Sequence, residues 1–117
     1  MTKLYIRHFR NLRYDFDNCE TPFTAEFVID NLGGVTMVSE QVGENTFQIG
    51  VSICNRDDNF SKVIGRIQAL GRLTKDPITI SREEMEEILE EDCAYGFYLT
   101  AEHILNQKGL TASKAFV

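Results

Sequence analysis

Apolar residues in this chain follow one spacing up to about residue 54 and another from residue 57 onward, and that single change of period limits the folds open to it. Residues 3–9, KLYIRHF, alternate, with Leu4 and Ile6 on one side and Tyr5, Arg7 and Phe9 on the other, which is the period of a strand. The segment 23–30, FTAEFVID, puts Phe23, Ala25, Phe27 and Ile29 on one side and reads as a second strand. Leu32-Gly33-Gly34 predicts a turn and VTMVSEQV at 35–42 a third strand. Gly43-Glu44-Asn45 is the next turn, and FQIGVSIC at 47–54 is a fourth strand. There Phe47, Ile49, Val51 and Ile53 share a face opposite Gln48, Gly50, Ser52 and Cys54. Short connections between the last strands favour an antiparallel meander.

Beyond Asp57 the spacing becomes helical. Phe60, Val63, Ile64, Ile67 and Leu70 recur as one apolar stripe, with Asp57 or Asp58 as N-cap and Ser61, Lys62, Gly65, Arg66, Gln68 and Arg72 on the opposite side. Pro77 stops this helix or its linker, and Ile78-Thr79-Ile80 reads as a short edge strand. Ser81 and Glu84 have capping-box spacing. Met85, Ile88, Leu89, Cys93, Phe97, Ala101, Ile104 and Leu105 continue as an apolar stripe that Gly96 divides into two helices, and Lys108-Gly109 fits the end. Strands followed by helices predict an α+β fold: an antiparallel sheet of about four strands, one helix after it, and a long acidic C-terminal helix or helix pair, all in one helical layer on the sheet.

A chain of 117 residues suits one domain, spanning 1–117, and at this length folding buries about two-thirds of the unfolded surface without needing staples. With 43% hydrophobic and 26% charged residues, wholesale disorder is not expected. No apolar run approaches the length of a membrane span, and the start, MTKLYIRHFRNLRYDFD, is too charged for a signal peptide. Cys19, Cys54 and Cys93 cannot all pair, so reduced thiols in a cytoplasm are the simplest reading.

The net charge of −6 conceals alternating blocks. Lys3, Arg7, Arg10 and Arg13 open the chain without an acid, and residues 14–58 set nine acids against Arg56. Lys62, Arg66, Arg72, Lys75 and Arg82 then face only Asp76, and residues 83–102 carry eight acids and no base. Such blocks fold either into mutually neutralising surface or into two opposed faces, one basic and one acidic, that serve a charged partner. Direct binding of nucleic acid by so acidic a chain would require a segregated basic face.

Signatures of catalysis are weak. His8, Cys19, Cys54, Cys93 and His103 lack the paired short spacings of a zinc site. Cys93 and His103 lie ten residues apart, about 15 Å along a helix, too far for a nucleophile and its base. There is no P-loop or dinucleotide fingerprint, and the carboxylates are too many for one pair to stand out. The expectation is a non-enzyme without cofactor or metal. In EEMEEILEED at 83–92, helical spacing places Glu83, Glu87, Glu90 and Glu91 away from the apolar stripe, either as a solvated face or as an imitation of a phosphate backbone. Ile64-Gly65-Arg66-Ile67 is echoed by Leu70-Gly71-Arg72-Leu73. Two glycines within a helix cost about 1 kcal/mol each relative to alanine, so a close backbone contact or a ligand held by Arg66 and Arg72 must compensate. Because Gly65 falls on the polar side and Gly71 near the apolar stripe, Gly71→Ala is expected to lose stability and Gly65→Ala to keep it.

Cys54, Asp58, Phe60, Ser61, Lys62, Gly65, Arg66, Ala69, Gly71, Arg72 and Leu73 together form a strand-Cys, Asp-x-Phe-Ser-Lys, Gly-Arg helix pattern over about a fifth of the chain. This pattern resembles a module of small phage and prophage proteins, some of them anti-defence proteins such as anti-CRISPR inhibitors. The resemblance implies a non-enzymatic inhibitor in the bacterial cytoplasm that binds a defence effector complex, CRISPR–Cas in the first place; the candidate contact residues, read from spacing and charge and not from the resemblance, are Glu83, Glu87, Glu90, Glu91, Arg66 and Arg72. Two alternatives stay open, with self-association compatible with each. One is a nucleotide-sequestering protein using Arg66, Arg72, Arg7 or Arg10 for phosphate. The other is a nucleic-acid binder built on KLYIRHFRNLR, where Tyr5 and Phe9 interleave with arginines.

Overall fold

Backbone pairing in the computed structural model, which describes residues 3–116, gathers the alternating segments into a four-stranded antiparallel sheet of order β1-β2-β3-β4. The strands are β1 (Leu4–Tyr14), β2 (Phe27–Gly43), β3 (Thr46–Asn59) and β4 (Ile78–Ser81). Helix α1 (Lys62–Lys75) lies between β3 and β4, and α2 (Arg82–Leu89), α3 (Ala94–Gln107) and the short α4 (Ala112–Ala115) complete the chain. The fold is α+β with an antiparallel meander, as the change of period implies.

Three boundaries differ from the sequence reading. Leu32-Gly33-Gly34 does not reverse the chain. The expected strands at 23–30 and 35–42 are largely one long strand, and the glycines form a bulge at which the register with β1 shifts between Phe9 and Asn11. Gly33 and Gly34 have φ of 68° and 138°, values that side-chain-bearing residues rarely adopt, so the same glycines that signal a turn permit a bulge instead. Residues 22–24 form a turn of 3-10 helix. Pairing of β3 continues past Cys54 to Asn59, so the cap of α1 falls to Ser61, whose Oγ accepts from the Ile64 amide, and not to Asp57 or Asp58. The acidic helix ends at Leu89, and α3 restarts after Cys93, whose Sγ accepts from the Gly96 amide; Gly96 itself lies inside α3.

The helices do not form one layer. Val35 and Met37 of β2 and Ile49 and Val51 of β3 pack with Ile80, Met85, Ile88, Phe97, Ile104 and Leu105 in the main core beneath α2 and α3. On the opposite face Val38 packs with Ala69 and Leu73 of α1. A helix can lie there because that face is nearly flat. A Cβ at Gly50 would overlap the Ala69 carbonyl oxygen and the Leu73 amide, and one at Gly65 would overlap Thr36 Oγ1. Thus α1 turns inward the side that carries the small residues Gly65 and Ala69, with Leu73 four residues further on, and not its apolar stripe.

This arrangement reverses the sequence expectation for the two helical glycines. Gly71 has nothing within 4 Å of a Cβ, so Gly71→Ala should raise stability by several tenths to about 1 kcal/mol. Gly65→Ala meets a fully buried, β-branched Thr36 that cannot swing aside, and should cost about 1–3 kcal/mol. Gly50→Ala, which meets helix backbone, should cost more than either. Chemical denaturation of the three variants reads the order directly.

Candidate interaction surfaces

With its small side on the sheet, α1 leaves its apolar side in water. Val63 and Ile64 are each 57% exposed and Ile67 is 64% exposed, with Leu70 also exposed. These are the residues that helical periodicity assigns to the core. The helix carries Lys62, Arg66, Arg72 and Lys75 and no acid, and among the described residues none of the four forms a salt bridge. Their roles differ. Arg66 is exposed, whereas Arg72 is half-buried and donates from Nη1 to the Val51 carbonyl, tying α1 to β3. On the same buried side Ser52 Oγ donates to Gln68 Oε1 at 2.7 Å.

Beside the start of α1 sits a cationic cluster built around Phe60. The Phe60 ring lies against Gly34, where a Cβ would come within 2.6 Å of it, and it meets His8 edge-on at 5.6 Å. The Arg10 guanidinium stacks 4.5 Å above the same ring, with its Nε buried and without a hydrogen-bond partner among the described residues. His8 Nδ1 shares a 2.9 Å hydrogen bond with Thr36 Oγ1. Its own burial, and then the charges of Lys62, Arg10 and Arg66, hold the His8 pKa below the usual value. The N-terminal strand therefore divides its chemistry. His8 and Arg10 face this cluster, Arg7 donates to the Glu91 carbonyl at 3.1 Å, and Phe9 is buried in the main core, which leaves Tyr5 as the exposed aromatic of KLYIRHF.

A third surface is an arm. Past the bulge, Asn11–Tyr14 pair with Phe27–Asp30 as a two-stranded ladder that extends the molecule to 51 Å against 26 Å in the other two directions. Leu12 pairs with Ile29 on the same side as the stacked rings of Tyr14 and Phe27, 4.2 Å apart, and Phe16 lies against Tyr14. All five are exposed, and Phe23 in the connecting loop is 99% exposed. At the base of the arm a cleft of about 840 Å³ opens toward α3, lined by Val35, Ile53, Tyr95 and Tyr98 and by the free thiols of Cys54 and Cys93.

The acidic run is sorted by α2. Glu84 closes the capping box with Ser81 and bonds Lys108 at 3.0 Å. Burial alone would raise its pKa, but the Ser81 amide and the Lys108 ammonium outweigh burial and hold it below the usual value. Glu91 does not join the outward row that the sequence assigns to it. It lies half-buried in the turn after α2 and accepts from Thr100 Oγ1 at 2.6 Å. Glu83, Glu87 and Glu90 are exposed, and Glu86, which the sequence reading passed over, completes their row. Arg66 and Arg72 lie on the other face of the sheet, so the candidate residues form two opposed groups, not one site.

Among the described residues no three His, Cys, Asp or Glu side chains gather as a metal site, and no helix is long and apolar enough to cross a membrane. Comparison with protein families, curated proteins and solved structures finds no match to this chain.

The lowered pKa of His8 has a consequence for stability. An unfolded chain protonates this ring near 6.5 and the folded one only at lower pH, so acidification through 6.5 favours unfolding. Thermal unfolding should shift to lower temperature between pH 7 and pH 5, and His8→Gln should flatten that part of the profile. Loss through Glu84 belongs to a separate window, below its usual 4.5, where protonation removes a carboxylate that the fold stabilises.

Proposed function

We propose that this protein is a non-enzymatic inhibitor of a bacterial defence complex, acting by protein binding, with the carboxylates of α2 occupying a site that takes nucleic-acid phosphates. The observation that carries this reading is the row Glu83, Glu86, Glu87 and Glu90. All four are exposed, and none forms a salt bridge among the described residues, while the neighbouring Glu84 and Glu91 are turned to structural use. The four lie within eight residues, seven steps or about 10.5 Å of helix axis, or roughly one charge per 3.5 Å. A nucleic-acid strand carries one phosphate per about 3.4 Å of axis. Repulsion within the row is tolerated because α2 is fixed from beneath by Met85 and Ile88 and at its start by the capping box.

The anti-defence class is proposed on the sequence pattern from Cys54 to Leu73. The structure gives most of its residues packing work: Ser61 caps, Phe60 fills the space over Gly34, Gly65 and Ala69 let the helix approach, and Arg72 ties helix to strand. The module thus accounts for how the chain folds, and the contact falls to α2.

The test is a phage-challenge assay in bacteria carrying a CRISPR–Cas system, comparing the natural chain with a variant in which Glu83, Glu86, Glu87 and Glu90 are all glutamine. The variant should stay folded, because the four side chains are exposed, and should lose at least roughly tenfold in affinity for the effector and lose the ability to inhibit it. Binding by the natural chain should weaken as salt rises and should be displaced by duplex DNA. Inhibition that survives the fourfold change would exclude the carboxylate mechanism.

A further inference from the structure

We infer that the protein pairs with a second copy of itself, the arm of each copy lying on α1 of the other. Two surfaces of one chain carry the argument. The α1 face offers four exposed apolar side chains among three exposed cations, Lys62, Arg66 and Lys75, and no acid, the fourth cation, Arg72, being spent on the Val51 carbonyl. The arm, residues 11–31, offers six exposed apolar side chains, five of them described above and the sixth Phe23, among Asp15, Asp17, Glu20, Glu26 and Asp30 with Arg13 as the one cation. Formal charges of +3 and −4 thus accompany two apolar surfaces, and within a single copy both remain exposed.

Each surface has a physical reason to be covered. A two-stranded ladder is marginal in water without a third layer, and on its aromatic side the arm has only the open cleft toward α3 at Leu12 and Phe27. A helix normally buries its apolar side, and α1 cannot, because Gly50 and Gly65 fix its small side against the sheet. Exchange between two copies satisfies both needs with one symmetry operation, since a two-fold axis that lays one arm on the partner's α1 lays the other reciprocally. The ten apolar side chains and the eight opposite charges make eighteen residues of each copy available to the contact, close to the about 20–30 per side of a stable interface. A foreign partner would cover one of these surfaces and leave the other in water. This inference does not rest on the carboxylate row of α2, which lies on the face of the sheet opposite α1.

The experiment is sedimentation equilibrium of the full chain from low micromolar to submillimolar concentration, with circular dichroism to check folding. The natural chain should be a dimer. Ile67→Glu on α1 and Phe27→Glu on the arm should each remain folded and raise the dissociation constant at least about tenfold. Mixing these two variants should restore a heterodimer, because one unaltered arm then meets one unaltered α1. The double charge reversal Lys62→Glu with Arg66→Glu serves as a second α1 variant that leaves the apolar residues in place, and it should weaken the dimer as well. A natural chain that is monomeric throughout overturns the inference, and so does a dimer indifferent to the Phe27 change. Dimerisation lost on α1 variation but retained on arm variation would mean that α1 pairs with α1, which also overturns it.

Discussion

Backbone contact between α1 and the sheet at Gly50 sets the terms for the rest of this molecule. Where β3 carries no side chain, the Ala69 carbonyl and the Leu73 amide come down onto the strand, and Gly65 comes down in the same way onto Thr36. So close an approach leaves room for only a small second core of Val38, Ala69 and Leu73. It places Arg72 where its guanidinium reaches the Val51 carbonyl and Gln68 where it meets Ser52. It also turns Val63, Ile64, Ile67 and Leu70 to solvent. An ordinary amphipathic helix buries its apolar stripe and exposes its polar side; here sterics at two glycines outweigh that preference. The exposed stripe follows from packing.

Much of the fold is legible in the sequence, because alternation and helical spacing are strong local signals. The antiparallel sheet of about four strands, the edge strand at Ile78, the capping box at Ser81 and the helix end at Lys108-Gly109 follow from residues close to one another in the chain. Sequence and structure part where a local signal has two physical outcomes. Paired glycines allow a bulge as readily as a reversal, and only the pairing of residues 27–30 with 11–14 decides between them. A helix with an apolar stripe on one side and a small-residue stripe on the other can pack by either, and the deciding fact, Gly50, lies fifteen residues before Gly65 in another element. The small residues Gly65 and Ala69, four apart and followed at the same spacing by Leu73, together with the polar and glycine-bearing face of β3, are the signal for that outcome. For the candidate surface on α2, spacing correctly separates Glu83, Glu87 and Glu90 from Met85 and Ile88 but cannot foresee that the helix stops at Leu89 and carries Glu91 inward to Thr100.

Charge is organised by layer. Cations of α1 and of the Phe60 cluster lie on one face of the sheet, and the carboxylates of α2 lie on the other, so the net charge of −6 is also a charge separation across the thickness of the domain. Such a molecule has an orientation in the field of any charged partner and approaches it with one face leading. Arg7, Arg10 and Arg13 add a further effect on β1, which is an edge strand: charged side chains along an unpaired edge discourage indiscriminate strand addition.

The bulge at Gly33-Gly34 also divides the sheet by how it opens. On one side of it, the amides of β2 at residues 35–38 and of β3 at 49–52 lie between two packed layers, and breaking their hydrogen bonds requires α1 or the main core to come apart. On the other side, the ladder of 11–14 with 27–30 has no helix above or below it and can open by itself. In hydrogen exchange a single copy is therefore two units: an arm whose amides trade protons by local opening and a body whose amides wait for global unfolding, with the glycine bulge as the border between them.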